Sequence, residues 1–261
     1  AWAMKWLRWW GCSSCREAGF DSLFVLKVLG IIPARGGSKG IPRKNLSPLG
    51  GKPLLYYTIR AAQASSRLRR TILSSEDQEI NDVGRSLGID VPFARPADLA
   101  TDEARSVEVA RHALQFAENE EGARYDLVCL LQPTCPLRAP SDIDGAIEML
   151  DRSDADGVVS LARVEDPHPV KMMLVTDELV HPLFPDRWRE TVRRQELAPV
   201  FYLNGAVYCV RREVLLNSHS LWGKKTLAYI MPAERSVNVD TLLDLKLAEC
   251  LLTVSVEAVG G

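Results

Sequence analysis

The chain has 261 residues, 46% of them hydrophobic and 25% charged, enough for one large α/β domain with a sizeable core, or one such domain carrying an appendage. Thirty-two Lys and Arg against 34 Asp and Glu leave a net charge of −2, which argues against a nucleic-acid or anionic-membrane partner and reserves any local cluster of cations for a small anion. No segment has the roughly 18 consecutive apolar residues of a membrane span, and six scattered cysteines in a chain of this size point to a reducing cytoplasm.

Residues 1–24 carry Trp2, Trp6, Trp9 and Trp10 with Lys5 and Arg8 among them. They lack the continuous apolar stretch and small-residue cleavage site of a signal peptide. A basic aromatic run can lie on a membrane surface. Here it is expected to be a disordered or loosely attached extension, followed by a domain over residues 25–252 and a tail over 253–261. Cys12 and Cys15 form a lone C-x-x-C without a second pair or a nearby His, and are taken as incidental rather than as half a zinc site or a redox pair.

The apolar run from Val25 to Ile32 predicts a buried strand that delivers a cationic loop. That loop, IIPARGGSKGIPRKN over residues 31–45, holds Arg35, Lys39, Arg43 and Lys44 and no carboxylate. Gly36, Gly37 and Gly40 are expected to take φ > 0 and let backbone N–H groups and cations converge on one anion, phosphate being the natural guest. The spacing is neither G-x-x-x-x-G-K-[ST] nor G-x-G-x-x-G. A tight strand-to-helix turn with solvated Lys and Arg side chains is the alternative.

Beyond the loop, short apolar runs alternate with helix-period segments, the pattern of a mainly parallel sheet covered by helices. Pro53 opens a helix with Leu54, Leu55, Ile59 and Ala62 on its apolar face. A strand is predicted over 71–74, a helix over 77–87 ended by Gly88, a short strand over 91–94 and a helix over 104–118. The run 127–131 is the most apolar of the later strands and is expected to be central. Ser141, with Asp144 three residues on, predicts a capped helix to Leu150, and 157–161 the next strand. Prolines then punctuate an excursion over about 165–200, whose short run 172–175 reads as a small antiparallel strand. Strands over 202–210 and 226–231 and a helix over 241–252 close the domain. Nothing in the chain forms a Ser/His/Asp or Cys/His constellation, and His112, His168, His181 and His219 lack metal-ligand spacing.

The runs IIPARGGSKGIPRKNL, RPADLATD (95–102), LLQPTCPLR (130–138), NGAVY (204–208) and SVNVDTLLDL (236–245) fall in one order over about residues 25–252. Together they resemble the acylneuraminate cytidylyltransferases, the CMP-sialic acid synthetases. The resemblance implies a Rossmann-like nucleotide-binding sheet and an enzyme that joins a nonulosonic acid to CMP from CTP, releasing pyrophosphate. It implies Mg2+, with Mn2+ as an alternative ion, and a homodimer whose excursion reaches the partner's active site, where the residues alone would equally allow a lid.

Residue by residue, it implies that Arg35 and Asn45 contact CTP and that Ser38 and Lys39 lie along its phosphates. Lys44 would stabilise charge growing on the α-phosphoryl group. Arg95 and Ser106 would recognise the cytosine, though by themselves they read as a surface Arg and a helix Ser. Gln132, placed after a central strand, would touch sugar or nucleotide, or else cap the loop backbone. Arg194 would face the sugar carboxylate, where the bare sequence offers a solvated Arg pair; Asn204 and Tyr208 would neighbour the sugar.

Asn238 and Asp240 alternate with Val237 and Val239, so their side chains share a face. In the family this position commonly reads D-I-D and holds Mg2+. Here it reads N-V-D, which keeps two oxygen ligands but removes one charge; Asp240 is also a good N-cap. An Arg found before the Asn-Gly in some sialic-acid synthetases is absent, so legionaminate- and pseudaminate-type sugars stand beside N-acetylneuraminate. The alternatives are a 3-deoxy-octulosonate cytidylyltransferase and a nucleotide-binding protein of the same fold with weak or lost catalysis. A glycosyltransferase lacks support, since Asp154 and Asp156 precede a strand instead of following one.

Overall fold

The computed structural model describes residues 26–188 and 193–257; the expected extension 1–24 lies outside them, as does part of the tail. Strand β1 (Val28–Pro33) is buried almost throughout and leads into the cationic loop. A tight hairpin follows, β2 (Pro48–Leu49) and β3 (Lys52–Pro53), and then helix α1 (Leu54–Gln63), for which Pro53 is the N-cap rather than the first helical residue. β4 (Arg70–Ser74) and α2 (Gln78–Ser86) come next, α2 capped by Asp77, whose carboxylate accepts from Ile80 N.

The strand expected over 91–94 does not form. Asp90 makes a single parallel bridge to Ile72, after which Pro92 lacks the N–H a ladder would need and Arg95 turns back to β4. Helix α3 (Ser106–Glu121) begins two residues later than predicted and ends on Gly122 in the left-handed conformation. β5 (Leu127–Leu130) and α4 (Pro140–Asp151) follow. The predicted cap of α4 shifts as well. Pro140 holds the first helical position, Ala139 is the N-cap, and it is Asp142 that accepts from Ala139 N at 2.8 Å. Asp144 instead reaches the α1–β4 loop.

β6 (Gly157–Arg163) precedes the excursion, in which β7 (Met173–Thr176) and β8 (Leu179–Pro182) pair antiparallel as a separate two-stranded sheet. The chain closes with β9 (Phe201–Arg211), the unpredicted α5 (Arg212–Ser218), β10 (Thr226–Met231) and α6 (Leu242–Glu257).

The six-stranded sheet runs β10-β6-β9-β5-β1-β4. β1 is parallel to β4 and β5, β10 is parallel to β6, and β9 is antiparallel to both its neighbours. Helices bury both faces. Leu55, Ile59, Ile143, Ile147 and Leu150 pack against one face, and Val107, Ala110, Leu114 and Leu215 against the other. A third apolar cluster joins Ile41 of the cationic loop to Leu49, Leu54, Val239 and Ala248. It fixes the loop against the segment that carries Asn238 and Asp240.

Candidate active site

From β1 the chain moves outward to β4 and then returns to β5 on the other side, so strand order reverses at β1. Open α/β sheets bind ligands at the carboxyl ends of the strands beside such a reversal. A cavity of about 620 Å³ lies there, lined by Arg35, Ser38, Lys39, Gly40, Lys44 and Asn45 after β1, Gln132 and Thr134 after β5, Arg95 and Asp102 from the segment leading into α3, Ser106 at the start of that helix, and Asn238 and Asp240.

The loop's conformation differs from the expected one. Gly36, Gly37 and Gly40 are not at positive φ; the left-handed residue is Arg43, at φ 52° and ψ 38°. Gly40 is needed for close approach, because a Cβ there would sit 2.4 Å from the Asp240 carbonyl oxygen. That contact brings the loop against the Asn238–Asp240 segment. Lys44, only 14% exposed in its side chain, then reaches Asp240 Oδ1 with Nζ at 2.7 Å. Asn45 is buried and donates from Nδ2 to the Arg35 carbonyl at 2.9 Å, tying the two ends of the loop together.

Carboxylates brace this cationic loop on several sides. Glu76 accepts from Gly36 N at 2.7 Å. Arg43 donates to both oxygens of Asp77 at 3.1 Å and to Glu79 at 2.7 Å. Burial works to raise the Asp77 carboxyl, but the helix N–H of Ile80 and the Arg43 guanidinium hold it below the usual range. Asp102 bridges Arg35 and Lys39.

Arg95 is 6% exposed, and its guanidinium donates to Ser74 Oγ at 3.0 Å, to the Ser74 carbonyl and to the Leu99 carbonyl. Burial pushes it down to about 10 against the pull of Glu76, with Arg35 adding to the push, so it stays charged at neutral pH. Its donors serve the Ser74 hydroxyl and two backbone carbonyls at the cavity wall. Ser106, the first residue of α3, lines the same wall.

Gln132 lines the cavity and its carbonyl accepts from Arg138 Nη2. Gly205, at φ 76°, lies against it: the backbone conformation favours glycine after Asn204, and a Cβ there, 2.5 Å from Gln132 Oε1, would also push the Gln132 side chain aside. Asn204 does not line the cavity. It is fully buried, its Oδ1 accepting from Ser160 Oγ at 2.6 Å and from Ala206 N at 3.1 Å, its Nδ2 donating to Ser236 Oγ at 3.0 Å. It thus ties β6 and β9 to the segment before Asn238. Tyr208 is also not among the cavity-lining residues and packs on the α3 and α5 side of the sheet. Arg194 opens a single 3-10 turn, Arg194–Glu196; its side chain lies outside the described residues.

Asn238 and Asp240 share the cavity face, as their alternation with Val237 and Val239 predicts. Asn238 Nδ2 donates to Asp240 Oδ2, while Lys44 occupies Oδ1. Among the described residues no cluster of three or more His, Cys, Asp or Glu could hold a metal by itself. Sequence reasoning passed over Asp102, Glu76 and Asp77. Asp102 lies inside the RPADLATD run, but its role rests on pairing with cations more than sixty residues away, which no local spacing reveals.

An α/β sheet with a cationic loop and a polar cavity at its strand-order reversal has the form of a nucleotide-binding site. A family model described as cytidylyltransferase matches residues 29–231. The chain belongs to the cytidylyltransferase family. It is 37% identical over 221 residues to the N-acylneuraminate cytidylyltransferase of Streptococcus agalactiae, covering 83% of this chain and 51% of that protein, and so spans about half the relative's length. It is 33% identical over 236 residues to the CMP-N,N'-diacetyllegionaminic acid synthase of Legionella pneumophila, covering 89% of this chain and 99% of that one. Among solved structures, CMP:2-keto-3-deoxy-manno-octonic acid synthetase complexed with CTP shares the fold at TM-score 0.63 and 19% identity, over 88% of this chain and 99% of that one.

Proposed function

We propose that the chain transfers CMP from CTP to the anomeric hydroxyl of a nonulosonic acid and releases pyrophosphate. The observation that carries this reading is the convergence of Arg35, Lys39, Lys44 and Asp240 on one cavity at the strand-order reversal. A triphosphate laid along the loop would find Ser38 and Lys39 at its outer phosphates and Lys44, held deep by Asp240, beside the α-phosphorus. Lys44 then opposes the negative charge that builds as the sugar oxygen attacks and pyrophosphate departs. A single in-line displacement needs no covalent nucleophile.

Mg2+ fits the donor set in one way. Asp240 supplies a carboxylate and Asn238 an amide oxygen once its side chain is turned, and the remaining ligands would come from the phosphates, a mode common for this ion. Bound so, it would neutralise phosphate charge in the transition state. Mn2+ would take the same oxygens. The sugar would bind beyond Gln132, with Arg194 as its candidate partner, while Asn204 and Tyr208 would act from behind the wall.

A homodimer is supported by the apolar surface of the excursion, and a reducing cytoplasm by the free thiols of Cys129, Cys135, Cys209 and Cys250. Among the described residues no helix is long and apolar enough to cross a membrane. The hydrogen bond from Asn238 to Asp240 favours a second reading, a nucleotide-binding relative with weakened catalysis.

Pyrophosphate release with each of the four ribonucleoside triphosphates, Mg2+ and a panel of N-acetylneuraminate, diacetyllegionaminate, pseudaminate and 3-deoxy-octulosonate separates these outcomes. Turnover with CTP and a nine-carbon acid is expected. Equal use of ATP, or preference for the eight-carbon acid, overturns the main reading; CTP binding without turnover selects the second.

A further inference from the structure

Besides the Lys44–Asp240 pair, two of the cations facing the cavity share a single anion. Arg35 Nη1 donates to Asp102 Oδ1 at 2.8 Å and to the Thr101 carbonyl at 3.3 Å, and Lys39 Nζ lies 2.8 Å from Asp102 Oδ2. One carboxylate thus joins the first cation of the loop to the one at its apex, an oxygen to each, much as a bound phosphate group would. The side chains are exposed, Lys39 at 80% and Asp102 at 43%, and Asp102 stands in the irregular segment between the 3-10 turn Ala97–Leu99 and α3. Nothing rigid forces the contact. Lys39 first, then Arg35, keeps the Asp102 carboxyl below its usual range, which marks the same attraction.

We propose that Asp102 is an internal counter-anion, exchanged for the phosphates on binding and returning to Arg35 and Lys39 to expel pyrophosphate. The proposal rests on the cytidylyl-transfer reading for its second half. A phosphate oxygen and the Asp102 carboxylate compete for the same N–H donors, so each phosphate contact made with Arg35 or Lys39 requires a carboxylate contact to break. The displaced carboxylate remains near the cavity and repels the anion that replaced it. Pyrophosphate feels this most, because phosphate contacts are all that hold it, whereas CTP is also held through its base and ribose. An exposed pair that is weak by itself suits this role, since it must open at every turnover.

The test compares wild type with Asp102→Asn and Asp102→Ala by calorimetric binding of Mg-pyrophosphate and Mg-CTP, at low and at physiological salt. If Asp102 competes, both variants should bind pyrophosphate roughly 5- to 30-fold more tightly, the equivalent of one or two ion pairs, with a smaller gain for CTP and a narrowing of the difference at higher salt. Steady-state turnover should fall while product inhibition by pyrophosphate strengthens. If Asp102 instead holds Arg35 and Lys39 in place for the phosphates, both variants would bind more weakly, and unchanged or weakened pyrophosphate affinity overturns the proposal. Wild-type turnover on the sugar-acid panel is measured in parallel: its absence with tightened pyrophosphate binding overturns the functional reading and the expulsion step while upholding the exchange. Unfolding temperatures of the two variants, expected to lie close to wild type at so exposed a site, show that the binding changes are local.

Discussion

Arg43 stands in the left-handed region, where a side chain costs about 1–2 kcal/mol, and its guanidinium is held by Asp77 and Glu79. The turn it makes carries Lys44 inward to Asp240. Arg43→Ala keeps the strain and loses the ion pairs, whereas Arg43→Gly loses the pairs but relieves the strain. The glycine variant should therefore unfold at a higher temperature than the alanine variant and retain more turnover, and equal values in thermal unfolding and in kcat would dismiss the backbone argument. Asp240→Asn should lower turnover by about 10²–10³ or more while leaving the fold intact, because the carboxylate is 61% exposed and the side chains it holds, Lys44 and Asn238, both face the cavity. The cations of this site were legible in the sequence because they cluster within one loop. Of their carboxylate partners only Asp240 was, through its alternation with Val237 and Val239; Asp77 and Asp102 belong to segments brought in only by the sheet. Asn204 was legible as a special position and misread in kind: a buried amide that satisfies two serines looks, along the chain, like one that meets a ligand.

Elements with an unbroken period were read correctly, and those decided by a competing partner were not. The helix predicted from Ser141 rests on a Ser-x-x-Asp spacing, yet Asp144 takes hydrogen bonds from Ser65 Oγ at 2.5 Å, Ser66 N at 3.0 Å and Ser66 Oγ at 2.7 Å. Its carboxylate organises the turn between α1 and β4, a long-range demand invisible at capping distance. Burial favours the neutral acid, but these hydrogen bonds outweigh it and hold the Asp144 carboxyl below its ordinary 3.8. A depressed carboxyl contributes stability above its unfolded value and loses it as pH falls through the folded one. Asp144→Ala should cost about 1–3 kcal/mol in denaturant unfolding at pH 7, and the gap to wild type should shrink steadily below about pH 4. A gap independent of pH would assign the cost to packing alone. The missed helix α5 is two turns long and begins at Arg212, whose pairing with Glu118 of α3 holds it from outside the segment. β9, by contrast, announced itself as a strand but not its direction, since an antiparallel strand buried on both faces reads like a parallel one.

At the scale of the molecule, the sheet and its two helical layers account for the buried apolar residues, but the excursion does not close on itself. Every residue of β7 is exposed, and a two-stranded sheet without a covered face is marginal in water. Met173, Leu174, Val175, Leu179, Val180, Phe184 and Trp188 are exposed within this short stretch, too much contiguous apolar surface to leave wet. A second copy of the chain placing its own excursion against this one would cover it, which predicts a homodimer in sedimentation velocity at micromolar concentration; a monomer there removes the idea. Val175 and Val180 are direct cross-strand partners and are 71% and 63% exposed, so a charge at either position stays solvated in a single chain and is penalised only where a second copy covers this face. Val175→Asp should therefore shift the dimer toward monomer. Among the described residues, those lining the cavity come from the end of β1 and the cationic loop, the segment before α3 and the start of that helix, the loop after β5 and the Asn238–Asp240 segment, and none comes from the excursion. The monomeric variant should accordingly keep wild-type affinity for CTP. If it also keeps full turnover, the excursion is an assembly surface alone; if turnover falls while CTP still binds, the sugar half of the site is completed across the dimer.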